Sequence, residues 1–111
     1  MGRDERRAFN EAVFREVNER VREITESFSA TPEDDALPLV CECSDAGCVE
    51  KIELTHPQYE RVRSEATHFV VVSGHEQQDL EEVLERTGGY SVVRKRPGEP
   101  ADLAETTDPR G

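Results

Sequence analysis

Tryptophan is absent from this chain of 111 residues, and 2 Tyr with 4 Phe bring the aromatic share to only 5%. An aromatic side chain buries about 150–250 Å², so a core with so few of them is small. Hydrophobic residues are 34% of the chain against 35% charged, and a single domain of this composition profits from a stabiliser besides burial. No apolar run approaches the ~20 residues of a membrane-spanning helix. The opening MGRDERRAFNEAV has no apolar segment of the kind a secretory signal carries. The expected location is therefore the cytoplasm, with no membrane partner. Basic charge is scarce too: 14 Lys and Arg face 25 Asp and Glu, a formal net charge of -11, which opposes a general phosphate-binding surface. Cysteine numbers three, and two of the three are separated by one residue. An odd, clustered set does not make a secreted disulfide framework.

From Arg6 to Phe28 there is neither Pro nor Gly, and Phe9, Val13, Val17, Val21, Ile24 and Phe28 recur at steps of 4, 4, 4, 3 and 4. That period predicts a helix of about 23 residues, roughly 35 Å long, with one apolar face. The remaining faces mix Arg and Glu, including Glu11 before Arg15 and Glu16 before Arg20, and read as solvated i,i+4 pairs. So long a helix overhangs a small sheet, which leaves the Phe9 and Val13 end to dock a protein partner or a second copy. Next come an acidic linker over 29–38, bracketed by prolines, and two alternating segments, Leu39–Cys43 and Cys48–Thr55, which read as a hairpin. Thr55 followed by Pro57 and Gln58 carries the capping-box pattern of a short helix whose Tyr59 and Val62 face the sheet.

HFVVV at 68–72 has the β-branched, aromatic composition of a central strand. In 76–87, Leu80, Val83 and Leu84 share a helical face and Ser73 stands three before Glu76, so a second short helix is expected there. Tyr90–Val93 reads as a last strand closed by Arg94-Lys95-Arg96, and the acidic, Pro-rich 97–111 as a disordered tail. The expected fold is α+β: a long N-terminal helix (1–28) packed on a small, about four-stranded sheet within a 39–96 core, with two short connecting helices.

Cys41, Cys43 and Cys48 form C-x-C-x4-C. Residues two apart on a strand point to one side, so Cys41 and Cys43 converge, and Gly47 lets the turn bring Cys48 toward them. Three thiolates are one ligand short of the closed tetrahedral set that structural zinc prefers. His75, in the Ser-Gly-His turn that ends the 68–72 strand, is the favoured fourth ligand. His56 in a first helical turn and His68 within a strand are the alternatives, as is an acidic ligand. The competing reading is three buried thiols kept reduced in a cytosol. An iron–sulfur cluster is disfavoured because its usual cysteine spacings are not reproduced.

The segments FREVNER, CECSDAGC, IELTHPQYERVR and FVVVSGHE together resemble a family of short, uncharacterised bacterial proteins, largely actinobacterial, that share a CEC-x4-C element and a later GHE. The likeness runs from about Phe14 to Lys95. Its matching positions are Cys41, Cys43, Cys48 and His75, while Ser73 stands where that family usually has Pro. The resemblance implies no activity.

One zinc per chain, held by Cys41, Cys43, Cys48 and His75, therefore heads the expectations, in a protein-interaction or regulatory module whose metal is structural. A metal- or thiol-dependent redox or hydrolytic enzyme is the second reading, yet no paired acid and base, HExxH, G-x-S-x-G or phosphate loop is present. The third is a zinc-ribbon-like nucleic-acid binder built on Arg3, Arg6 and Arg7 or on Arg94–Arg96, which the net acidity disfavours.

Overall fold

Alternation of Leu37 and Leu39 with outward residues makes β1 (Ala36–Val40), and Ile52 with Leu54 does the same for β2 (Lys51–Thr55). The two pair antiparallel with Leu37 opposite Leu54 and Leu39 opposite Ile52, so their apolar sides form one buried face. In the computed structural model, which describes residues 2–31 and 35–111, these elements follow a long helix, α1 (Arg3–Phe28). They are followed by α2 (His56–Arg63), β3 (His68–Val72), β4 (Glu81–Arg86), β5 (Tyr90–Lys95) and α3 (Glu99–Thr106). The class is α+β as expected, but among the described residues the strands number five and divide into two antiparallel sheets, β1-β2 and β3-β5-β4. Both sheets contribute to one core that includes Leu37, Leu54, Tyr59, Phe69, Val71 and Val93. No helix of the described residues is long and apolar enough to cross a membrane.

Helix α2 forms as its sequence predicts. Thr55 Oγ1 accepts from Gln58 N–H, and Gln58 Oε1 accepts from Thr55 N–H at 2.8 Å, and Tyr59 and Val62 are buried. Three other expectations are corrected. The segment expected to be a second short helix is instead β4: Glu82, Val83 and Glu85 pair with Arg94, Val93 and Val92, with a bulge at Leu84. A free edge of β5 outweighs helical spacing, because a strand partner satisfies a whole row of backbone groups that a short helix leaves half unmet. That pairing also makes β5, and not 68–72, the middle strand of its sheet. Finally, the segment expected as a disordered tail contains α3, whose Ala104 is buried. Beyond it, Arg110 reaches back to Glu19 and Glu60, so ion pairs order what its composition alone does not. In the linker expected over 29–38, positions 36–38 belong to β1 and 32–34 lie outside the described residues.

The largest departure is the rotation of α1. Its buried residues are Glu11, Arg15, Asn18 and Glu19, while Phe9, Val13, Val17, Ile24 and Phe28 are 56%, 42%, 39%, 59% and 87% exposed. Of the pairs expected as solvent dressing, Glu11 and Arg15 lie on the docking face, while Glu16 and Arg20 stay exposed and pair at 3.0 Å. Each inward side chain has partners, although Glu11 Oε1 and Arg15 Nε find none among the described residues. Lys95 Nζ donates to Glu11 and Glu81 at 2.5 Å each. Arg15 donates to the carbonyls of Ala66 and Ala104 at 2.6 and 2.8 Å and lies over the Phe69 ring. Asn18 exchanges two hydrogen bonds with the Val40 backbone, and Glu19 accepts from Tyr59 Oη at 2.7 Å. Charged groups are tolerated in a core when fully paired, and removing one partner is then costly.

Candidate metal centre

The site grows out of the end of β1. Cys41 N–H still bonds Glu50 O at 3.2 Å, but the next amide, of Glu42, bonds Val70 O at 2.9 Å, so the chain steps here from one sheet to the edge of the other. The strand ends at Val40, three residues short of the expected hairpin arm, Leu39–Cys43. Alternation survives the step: the thiols of Cys41 and Cys43 come to one site while Glu42 makes its bonds elsewhere in the core. The Glu42 carboxylate, 0% exposed, accepts from both Arg63 guanidinium nitrogens at 2.6 and 2.9 Å. Asn18 Nδ2 donates to it at 2.7 Å and Val70 N–H at 3.1 Å. This one residue therefore ties α1, α2 and β3 to the segment that carries the two thiols.

After Cys43 the chain turns on Asp45, whose Oδ1 accepts from Gly47 N–H at 2.9 Å and whose carbonyl accepts from Cys48 N–H at 3.0 Å. Asn10 of α1 fastens the turn through Ser44 O at 2.8 Å. On the other side, Gly74 adopts φ 95°, a conformation costly to any residue with a Cβ. It folds the end of β3 back so that His75 N–H reaches Val72 O at 2.9 Å and the imidazole reaches the sulfurs. The Val72 N–H points at Cys41 Sγ, 3.1 Å away, a hydrogen bond that favours a thiolate there.

The side-chain donor atoms of Cys41, Cys43, Cys48 and His75 all lie within 4.8 Å of one another. His75 Nδ1 is 3.5 Å from Cys41 Sγ and 3.7 Å from Cys48 Sγ. Tetrahedral bonds of 2.3 Å to sulfur and 2.0–2.1 Å to nitrogen put S and N about 3.6 Å apart, so these separations are those of two ligands on one ion. The four donors, two buried and two partly so, thus fit a metal ion as a set. All three cysteines are free thiols. Cys43 is pushed down to about 5, first by the hydrogen bond it receives from Cys41 and then by contacts that include His75. The same hydrogen bond, with burial, pushes Cys41 up, and burial raises Cys48. Three thiols this close do not ionise together on their own, and a cation in their midst is what allows it.

The other two histidines are elsewhere. His56 Nε2 lies 2.7 Å from Glu26 Oε1 at the end of α1, and His68 sits in β3 opposite Arg94. Glu42, Arg63 and Asn18, which hold the cysteine segment, were not singled out from the sequence. A signal for Glu42 existed, since a residue between two converging ligands on a strand must point into whatever lies behind them. Comparison with protein-family models, with curated proteins and with solved structures returned no match to this chain.

Proposed function

We propose that this protein is a small zinc-stabilised interaction module in which one zinc per chain, bound by Cys41, Cys43, Cys48 and His75, has a structural role. The observation that carries the reading is the His75 Nδ1 to sulfur separation of 3.5 and 3.7 Å within a donor set that comes wholly from the protein. Zinc is favoured over harder cations by three sulfurs and an imidazole. Four protein ligands close the tetrahedron and leave no coordination position for a substrate or an activated water, unlike catalytic zinc. The thiols need a reducing compartment, consistent with the cytoplasm. The apolar outer face of α1 then supplies the surface on which a protein partner docks.

The test is native mass spectrometry with elemental analysis of protein purified without added metal. One zinc per chain is expected, falling in Cys43→Ser and His75→Ala but not in His56→Ala. A folded wild-type protein without metal, or retention of zinc in both ligand variants, would overturn the reading.

A further inference from the structure

The outer face of α1 has an internal symmetry that says what covers it. The residues along its midline are Phe9, Val13, Val17, Arg20, Ile24 and Phe28, at steps of 4, 4, 3, 4 and 4. That series reads the same in both directions. Laid against itself antiparallel, it places Phe9 opposite Phe28, Val13 opposite Ile24 and Val17 opposite Arg20, so aromatic meets aromatic and aliphatic meets aliphatic. A parallel alignment instead stacks Arg20 on Arg20. Arg20 is already neutralised on its own chain by Glu16 at 3.0 Å and Glu23 at 2.9 Å, and its stem can lie along the partner's Val17.

The geometry around the stripe agrees. At 100° per residue, Val13 stands about 160° around the helix from the buried Glu11, so the residues that hold α1 to the body lie behind the stripe, and α3 stands beside its Phe9 end, where Leu103 and Thr107 share a groove with Phe9. Antiparallel helices also oppose their dipoles. The five exposed apolar side chains offer about 500 Å² per chain, hence about 1,000 Å² across a pair, the lower end of specific interfaces.

Resting on the reading of the protein as an interaction module, we infer that the partner of the α1 stripe is a second copy of this chain, paired antiparallel about a two-fold axis between Val17 and Arg20. With -11 formal charges on each chain, the pair is held by apolar contact against net repulsion. Added salt should therefore tighten it, where an interface of ion pairs would loosen.

Sedimentation equilibrium on the full, zinc-loaded chain tests this. A dimer dissociating at about 10–100 µM is expected, as suits a small interface, with dissociation reduced severalfold at high salt. Phe9→Ser with Phe28→Ser should weaken it at least tenfold while leaving the melting temperature of the exposed-face variant nearly unchanged. Val13→Glu alone and Ile24→Lys alone should each weaken pairing tenfold or more. An equimolar mixture of those two variants should restore a heterodimer to within a few-fold of wild type, because only the antiparallel register puts position 13 against position 24. A wild-type monomer at several hundred micromolar, a dimer indifferent to the Phe substitutions, or no rescue on mixing would each overturn the inference. Zinc measured on the same samples separates the two readings: a monomer carrying one zinc defeats the pairing alone, and a dimer without zinc upholds the pairing and defeats the zinc module.

Discussion

Replacing Glu42 by Gln removes one negative charge and almost no volume, at a position with no solvent exposure. The carboxylate accepts four hydrogen bonds, two from Arg63, one from Asn18 and one from the Val70 amide. A glutamine offers one oxygen in place of two, and its NH2 faces donors whichever way it is turned. Arg63 is then left buried without a counter-charge, keeping one bond to the remaining oxygen and one to the His68 carbonyl, 2.8 Å away. Breaking a buried ion pair from one side costs about 3–5 kcal/mol, a large part of the ~5–15 kcal/mol that stabilises an ordinary domain. For a chain of this length the melting temperature should fall by about 15 °C. Because Glu42 stands between two ligands, metal affinity should fall with it, by at least tenfold in competition with a chelator, as when the residues behind a metal site are lost. Urea unfolding of zinc-saturated protein measures the first effect and chelator titration the second. In a double-mutant cycle with Arg63→Met, the pair should lose less than the sum of the single variants, since the orphaned cation is then gone. A loss below about 1 kcal/mol for Glu42→Gln would refute the argument that this carboxylate holds the cysteine segment in place.

On the zinc proposal, a chelator should unfold the region from Cys41 to Cys48 and lower the melting temperature steeply, because a structural zinc contributes on the order of 10 kcal/mol of apparent folding energy; circular dichroism before and after metal return checks this. Gly74→Val forces a Cβ into φ 95°, so a loss of about 1–2 kcal/mol is expected, with weaker metal retention as His75 shifts, read by elemental analysis. Glu11 is raised to about 7, first by burial and further by Glu81 against the opposing pull of Lys95. Its contribution is therefore full below the ordinary carboxylate value near 4.5 and is lost as pH rises to 7. Glu11→Gln should erase that slope, gaining up to about 3 kcal/mol on wild type between pH 5 and pH 8, as measured by denaturation at each pH. Glu19 runs the other way: hydrogen bonds from Arg110 and Tyr59 overcome its burial and hold it at about 2. Arg110→Ala should accordingly cost more at pH 7 than at pH 3.

Local order and spacing were enough to define some elements and the cysteine part of the candidate site, because the information for each lies within a few residues. The capping box of Thr55 and Gln58, the alternation in 51–55 and the long uninterrupted α1 all follow from nearest-neighbour stereochemistry. So does the cysteine set: a C-x-C pair on extended chain converges wherever the strand is placed, and three soft ligands call for a fourth. That His75 and not His56 or His68 completes the cluster was favoured by its position in a turn, yet only the step of the chain from β1 to the edge of β3 brings the turn and the thiols together. Tertiary structure alone decided the rest. Residues 81–86 have helical spacing but become a strand because β5 presents an unpaired edge. Periodicity identified α1 as amphipathic but pointed the wrong side inward. That depended on distant residues, Lys95, Glu42, Tyr59 and Arg110, meeting Glu11, Asn18 and Glu19 with hydrogen bonds already in place. A polar face is buried when its partners are waiting for it, and the apolar face of α1 is then the one left exposed.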